Sequence, residues 1–286
     1  MKPLFKWTGG KGRLLSKKYK DLNFFPEASK FNTFVDLFGG AGAVTLAVAE
    51  QYPDCHLIFN DLNEELLQLY FQIRNNWDNF KDEYQRSVER FLTCDDRREN
   101  YFATRDIHVK HYKETSDVVL AANLLCMLKT NFNGIWLSYK NFGYRYSTAF
   151  GKEEYKPSLF DLEKVEQFRD VLRRAKVYNL SYKDVPVPFN SWVYADPPYR
   201  DSRQMYKNIF SDEEQIELCN FLKKGDNLYA LSNKDLGDGF WKKQFPEEYI
   251  EYLDHKFTCG YGDSINHVTE VLIKNYQNFP QATLPI

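Results

Sequence analysis

Four consecutive residues, Asp196-Pro197-Pro198-Tyr199, carry the most specific chemistry in the chain. An exocyclic amine conjugated to a ring is a poor nucleophile because its lone pair is delocalised. If the Asp196 carboxylate and the Pro197 carbonyl each accept one hydrogen bond from such an amine, they favour a pyramidal nitrogen whose lone pair can be aimed at a methyl donor. The two prolines hold that carbonyl rigidly and remove competing N–H donors. Tyr199 then offers a stacking face to a planar base. The plainer alternative is a strand stop followed by a buried tyrosine.

A second group of residues has the spacing of a nucleoside site. Asp36-Leu37-Phe38-Gly39-Gly40-Ala41-Gly42 reads as a strand end running into a glycine turn, where backbone can approach a ligand closely. Gly40 and Gly42 lack the third glycine of the dinucleotide fingerprint, and many such turns merely join a strand to a helix. Asp61 lies nineteen residues after Gly42, at the end of the next strand, placed to accept hydrogen bonds from both hydroxyls of a ribose. Lys6-Trp7-Thr8-Gly9-Gly10-Lys11-Gly12 fails the phosphate-loop pattern, because the glycine spacing is wrong and Gly12 follows the lysine. It reads either as a basic turn anchored by Trp7 or as a wall and carboxylate partner, Trp7 and Lys11, for a ligand that carries a base, a sulfonium and a carboxylate.

The elements that must hold these groups are those of an α/β sheet. Phe34 to Phe38 is a strand, Ala43 to Gln51 a helix, His56 to Asn60 a second strand and Leu62 to Arg74 a helix, which together make a βαβ unit. Later strands are expected at Trp192 to Ala195, Leu228 to Ser232 and Glu270 to Asn275, with a helix from Asp212 to Lys224. Asp61 and Asp196 are 135 positions apart. One further strand and two helices need only about sixty, at about thirty residues per crossover unit. An insertion is therefore expected. It contains a helix at Val118 to Thr130, and then Asn133-Gly134 and Asn141 to Gly143, turn signals that suggest a hairpin.

Composition narrows the class. The chain has 286 residues, 38 Lys+Arg against 40 Asp+Glu, a net charge of -2 and 43% hydrophobic residues, which describes a folded globular protein rather than a disordered one. Aromatics make up 17%, with 20 Tyr and 23 Phe, enough for a large core and also for stacking on bases. Met1-Lys2-Pro3 does not open a secretory signal, and the apolar stretch from Val118 to Leu128 is too short to span a bilayer and is broken by Asn123. Cys55, Cys94, Cys126, Cys219 and Cys259 are scattered and odd in number, which points to a reducing cytoplasm. His108 and His111 complete no ligand set, so no metal is expected. Charge is unevenly placed: Lys2, Lys6, Lys11, Arg13, Lys17, Lys18, Lys20 and Lys30 crowd the first thirty residues, and Lys129, Lys140, Arg145, Lys152 and Lys156 alternate with Trp136, Tyr139, Phe142, Tyr144 and Tyr146. Such clusters are solvated faces or nucleic-acid surfaces.

Taken together, Lys6 to Lys11, Asp36 to Gly42, Asn60-Asp61-Leu62-Asn63, Asn131-Phe132-Asn133-Gly134, Tyr194 to Tyr199 and Thr269 to Ile273 resemble the motifs, in order, of the Dam-like group of N6-adenine DNA methyltransferases, which use S-adenosylmethionine. The resemblance implies a doubly wound, Rossmann-like methyltransferase sheet from residues 1–66 and 165–286, and a mainly helical target-recognition insertion with a hairpin at 67–164. It further implies that Trp7, Lys11, Asp36, Phe38, Gly40, Gly42, Asp61 and Asp196 contact the cofactor, with Ser181 and Tyr182 added from the strand before the tetrapeptide. Asp196, Pro197, Pro198 and Tyr199 would hold an adenine flipped out of double-stranded DNA, and Asn133, Leu137, Tyr139, Lys140 and Arg145 would meet the duplex. A monomer or weak dimer in the cytoplasm is expected. One departure concerns specificity: relatives that methylate GATC typically place an arginine four residues after the equivalent of Asn133, where this chain has Leu137, and a proline where it has Ala149. Loss of that arginine changes or weakens the reading of a guanine unless Lys140 or Arg145 replaces it. Competing readings are transfer to cytosine N4, to an RNA base or to a protein glutamine amide, a non-catalytic DNA-binding protein that has kept the fold, and a nicotinamide oxidoreductase. Asp196 at the head of the tetrapeptide favours adenine, and an oxidoreductase leaves the tetrapeptide unexplained.

Overall fold

The computed structural model describes residues 1–12, 14–15, 22–140, 143, 145–152, 155–201, 210–257 and 266–277. Lys17, Lys18 and Lys20 of the basic cluster, Arg13, Asn141, Phe142, Tyr144 and Cys259 lie outside them. The sheet has seven strands: β1 (Thr33–Asp36), β2 (His56–Asn60), β3 (Ala175–Tyr178), β4 (Ser191–Ala195), β5 (Leu228–Asp235), β6 (Tyr249–Phe257) and β7 (Asn266–Lys274). Their spatial order is β3-β2-β1-β4-β5-β7-β6. The first five run parallel, while β7 is antiparallel to both β5 and β6. The expected doubly wound sheet is present.

Alternate residues of a strand point to opposite faces, and here both faces are covered, so the central strands are apolar throughout. Phe34, Phe59, Trp192 and Tyr194 enter a core on one face, and Val35, Ile58, Val193 and Leu231 enter a core on the other. The second face is closed by α7 (Asp212–Lys223) and α8 (Phe240–Gln244), through Leu218, Cys219, Leu222 and Trp241.

The first face receives α1 (Ala43–Gln51), α2 (Glu64–Asn75) and α6 (Leu162–Arg174), and around them α3 (Trp77–Thr93), α4 (Arg97–Lys110) and α5 (Asp117–Thr130). Every residue of α5 from Leu120 to Thr130 is buried. A helix apolar on all sides belongs at the centre of a bundle, and α5 lies among α2, α3 and α4. Its central polar residue is satisfied: Asn123 Oδ1 accepts from Ser87 Oγ at 2.9 Å and Arg90 Nη2 at 3.0 Å. Lys129, counted above among the surface cations, is buried instead and donates to the carbonyls of Leu4 at 2.7 Å and Leu159 at 2.9 Å. Burial pushes its ammonium down to about 8. Trp136 and Tyr146 are also core residues, so the interleaved aromatics are not one exposed stacking surface.

Among the described residues the segment after α5 forms a strap, and the turn signal at Asn141 to Gly143 lies largely outside them. Two isolated antiparallel bridges, Asn131 to Phe150 and Ser138 to Tyr146, join its limbs, with Phe132 N donating to Ala149 O and Ser147 N to Leu137 O, both at 2.9 Å. Asn133 and Gly134 both adopt positive φ, 55° and 69°. Gly134 is required there by space as well, because a Cβ would meet the backbone of Lys6 at 2.8 Å.

Candidate active site

Parallel strands present their carboxyl ends to one edge of the sheet, and ligands bind where the strand order reverses, here between β1 and β4. Asp36 ends β1, Asp61 follows β2 and Asp196 follows β4, so three carboxylates from distant parts of the chain converge on that edge. They line one cleft of about 1060 Å³ together with Trp7, Lys11, Phe38, Gly40, Asn133, Arg145, Ser181, Tyr182, Pro197, Pro198 and Tyr199. Of the residues singled out in the sequence, Gly42, Leu137, Tyr139 and Lys140 do not line it. Gly42 caps α1 at φ 76° with its α-carbon facing the Phe168 ring, while Tyr139 and Lys140 are exposed on the strap.

The glycine turn is pinned from several sides. Asp61 accepts from Gly40 N at 2.7 Å through one oxygen and from Asn63 N at 2.9 Å through the other, which leaves each oxygen acceptor capacity toward the cleft. Tyr70 Oη, on α2, donates to Gly40 O at 2.8 Å. Asn60 Nδ2 donates to Leu37 O and Leu180 O, and its Oδ1 accepts from Leu180 N, which ties the ends of β1 and β2 to the loop carrying Ser181 and Tyr182. Burial raises the Asp61 carboxyl above its ordinary range, against the backbone donors of Asn63, Gly40 and Leu62.

Asp36 is more extreme. It is 2% exposed, Thr45 Oγ1 donates to its Oδ2 at 2.7 Å, and its Oδ1 is buried without a hydrogen-bond partner. Burial pushes it up to about 7, with the charges of Asp196 and Asp61 adding in the same direction. A buried carboxylate oxygen without a donor, on the wall of a cleft, suits a ligand ammonium.

At the other end of the cleft, Lys11 Nζ lies 2.7 Å from Asp196 Oδ1, donates to Tyr199 Oη at 2.7 Å and to Gly9 O at 2.8 Å, and stands 3.7 Å from Glu270 Oε1. Tyr199 Oη donates in turn to Glu270. Burial pushes Asp196 up to about 6, Lys11 opposes that shift and Glu270 adds to it. The sequence reading gave Lys11 to a ligand carboxylate, whereas here its partners are the tetrapeptide's own side chains. Phe38, Tyr182 and Phe210 form a third cluster, with ring centroids 5.7 to 6.1 Å apart.

A model of the D12 class N6 adenine-specific DNA methyltransferases matches residues 7–257, nearly the whole chain and every motif above except Lys6 and Thr269 to Ile273. The chain belongs to that family. The methyltransferase is 30% identical to the type II methyltransferase M.MjaIII of Methanocaldococcus jannaschii over 96% of this chain and 99% of that one. It is 28% identical to M.CviBI of Paramecium bursaria Chlorella virus NC1A, over 96% of this chain and 100% of that one, and 28% identical to M1.LlaDCHI of Lactococcus lactis subsp. cremoris, over 97% and 96%. No helix among the described residues of the methyltransferase is long and apolar enough to cross a membrane.

Sequence reasoning missed three groups at this site. Glu270 faces Lys11 only because β7 pairs with β5 in a register that sets Glu270 beside Lys234, and its one sequence signal is a carboxylate in an otherwise apolar run. Phe210 stands just before the capping box of α7, where Ser211 and Glu214 exchange hydrogen bonds. Glu65 gathers His108 at 2.6 Å, Arg145 at 3.2 Å and the amide of Tyr146 at 2.8 Å, and so fastens the strap to α2 beside the cleft.

Proposed function

We propose that this family member binds S-adenosylmethionine in the cleft and methylates N6 of an adenine flipped out of double-stranded DNA. The observation that carries the reading is the convergence of Asp36, Asp61 and Asp196 at the switch point, each in a different hydrogen-bonding state. The cleft's donor set fits the cofactor: Asp36 Oδ1 for its ammonium, Asp61 for the ribose, and Phe38, Tyr182 and Phe210, beside Ser181, for the flat base. Trp7 borders Gly40, so a Cβ on that glycine would stand 3.0 Å from the indole nitrogen, and the pair shapes the wall between those subsites. When bound, the cofactor supplies a methyl group made electrophilic by the sulfonium.

The remaining chemistry belongs to the chain. Asp196 and the Pro197 carbonyl accept the two N–H bonds of the adenine amine and turn its lone pair toward the donor; no metal and no covalent enzyme intermediate is needed. Tyr199 stacks on the base, its hydroxyl held by Lys11 and Glu270. For the amine to use Asp196, that carboxylate exchanges part of its contact with Lys11 for the incoming N–H. As the N6–methyl bond forms and the methyl–sulfur bond breaks, the nitrogen releases one proton to the Asp196 carboxylate and from there to solvent, so complete proton removal before attack is not required.

Residues 67–164 are proposed to supply the DNA contacts and residues 1–66 and 165–286 the catalytic body. Asn133 faces the cleft, and Leu137, Tyr139, Lys140 and Arg145 lie along the strap above it. Type II names among the relatives support a fixed recognition sequence, and Leu137 supports one that differs from GATC. The expected setting is the cytoplasm, and the expected active form a monomer or weak dimer.

The test is incubation of the protein with labelled S-adenosylmethionine and unmethylated genomic DNA, followed by nucleoside analysis and mapping of modified bases. N6-methyladenine in one motif is expected. Methylcytosine, or product on RNA alone, would overturn the assignment.

A further inference from the structure

Prolines at 197 and 198 leave the catalytic loop without N–H donors at two successive positions, so it cannot brace itself and must be held from outside. Two amide side chains hold it. Gln215, in the first turn of α7, donates from Nε2 to Pro198 O at 2.9 Å. Asn233, on β5, accepts the Arg200 backbone N–H on Oδ1 at 3.1 Å and donates from Nδ2 to Gln215 Oε1 at 3.2 Å. The chain is thereby gripped on both sides of Tyr199, and the second bond fixes which end of the Gln215 amide faces Pro198.

Both amides are completely buried, and neither lines the cleft. An apolar pair of the same shape would leave Pro198 O and the Arg200 N–H without partners, so the amides satisfy the backbone on both sides of Tyr199. What the amides add is direction, through a fully satisfied polar network in a low-dielectric core. Arg200 anchors the same segment, its guanidinium paired with Asp212 and Asp238 and lying 3.8 Å from the Phe240 ring centroid.

We infer that Gln215 and Asn233 are positioning residues for methyl transfer, setting the angle at which Asp196 and the Pro197 carbonyl meet the amine while touching neither substrate nor cofactor. The inference rests on the proposed role of the 196–199 loop. Misplacement of reacting groups by about 1 Å costs about a hundredfold in rate, and a side chain that only aims the loop should spend all of that on the chemical step.

The test is single-turnover methylation with saturating S-adenosylmethionine and DNA, on wild type, Gln215→Met and Asp196→Ala. For Gln215→Met we expect a rate lower by about 30- to 100-fold, with the dissociation constants for cofactor and DNA within about threefold of wild type. A folded Gln215→Met that transfers methyl within about threefold of the wild-type rate, or one that loses binding and rate together, would overturn the inference. Gln215→Glu decides the matter should the methionine variant not fold. Its carboxyl still accepts from Asn233 but donates to Pro198 O only when protonated, so its rate relative to wild type at the same pH should rise as pH falls. A ratio of one at every pH counts against the inference. An active Asp196→Ala would instead remove the loop's catalytic assignment, so the two failures are distinguishable.

Discussion

Lys11 Nζ and Asp196 Oδ1 are 2.7 Å apart, although one stands near the start of the chain and the other follows the fourth strand. The lysine is 4% exposed and is the cation beside the one carboxylate that heads the tetrapeptide. Without it, burial and the neighbouring Glu270 act on Asp196 unopposed. Lys11→Met is therefore expected to raise the Asp196 carboxyl further, and to lower the methylation rate at pH 7 more than the rate at pH 8.5. Equal losses at both pH values would show that Lys11 acts elsewhere.

In the wild type, Asp196 sits at about 6, and in the proposed mechanism its ionised form is the stronger acceptor and holds the charge that the developing aminium needs. The acid limb of the profile follows from that sign: kcat/KM for DNA should fall toward tenfold per unit below about pH 6 and level off above it. Asp36, pushed up to about 7, adds a second inflection in the affinity for cofactor. A profile flat between pH 5 and 8 would contradict both.

The raised value of Asp36 also bears on stability. A carboxyl held above its unfolded value binds its proton more tightly when folded, so the folded state is favoured below the unfolded range and loses that advantage as pH rises through 7. Asp36→Asn should accordingly raise the melting temperature at pH 8, by about 2–4 °C for each kcal/mol recovered, and leave it nearly unchanged at pH 4. The same variant should weaken cofactor binding, a gain in stability set against function. Calorimetry at the two pH values, with and without S-adenosylmethionine, measures both effects.

Gly39 has no room for a side chain, because a Cβ there would overlap the Phe59 ring. Phe59 is itself 1% exposed and bonded into β2, so it has nowhere to move. Gly39→Ala should cost about 1–3 kcal/mol in chemical denaturation, whereas Gly12→Ala, with open space around it, should cost little.

Lys140 and Arg145 were grouped together by sequence, and the structure separates them. Lys140 is exposed, while Arg145 is bound to Glu65, to the carbonyl of His108 at 2.6 Å and over the Tyr112 ring. Lys140→Ala should weaken binding to all DNA sequences alike and reduce the slope of log affinity against log salt by about one, with no change in melting temperature. Arg145→Ala should lower the melting temperature as well. An unchanged salt slope in Lys140→Ala would move the DNA surface away from the strap.

Legibility followed local pattern. α1 and β2 were read to the residue, since an apolar run between turn signals admits few alternatives, and the switch-point carboxylates followed from their place after such runs. The strand expected before the tetrapeptide is β3, but it ends at Tyr178, and Ser181 and Tyr182 lie on the turn after it. β3 is four residues long, on the sheet's edge, and only Ala175 is buried, so its place could not be read. β6 mixes Glu, Asp, His and Lys with its apolar residues and borders only β7. Lys129 was misplaced because a cation in a basic run carries no mark that two carbonyls await it inside. Glu270 was missed because its partners are set by strand register, a property that no single segment contains.

The core on the first face of the sheet is continuous from Phe34 and Phe59 through Leu66 and Leu124 to Phe91 and Tyr101. α3, α4 and α5 thus share their packing with the strands that carry the site, and the strap is fastened to α2 by Glu65. On the proposed assignment of DNA contacts to residues 67–164, a new recognition sequence cannot be installed by cutting out this region and grafting in that of a relative, since the graft would lay bare the sheet it was meant to serve. Retargeting has to proceed by substitution along the strap, one exposed side chain at a time.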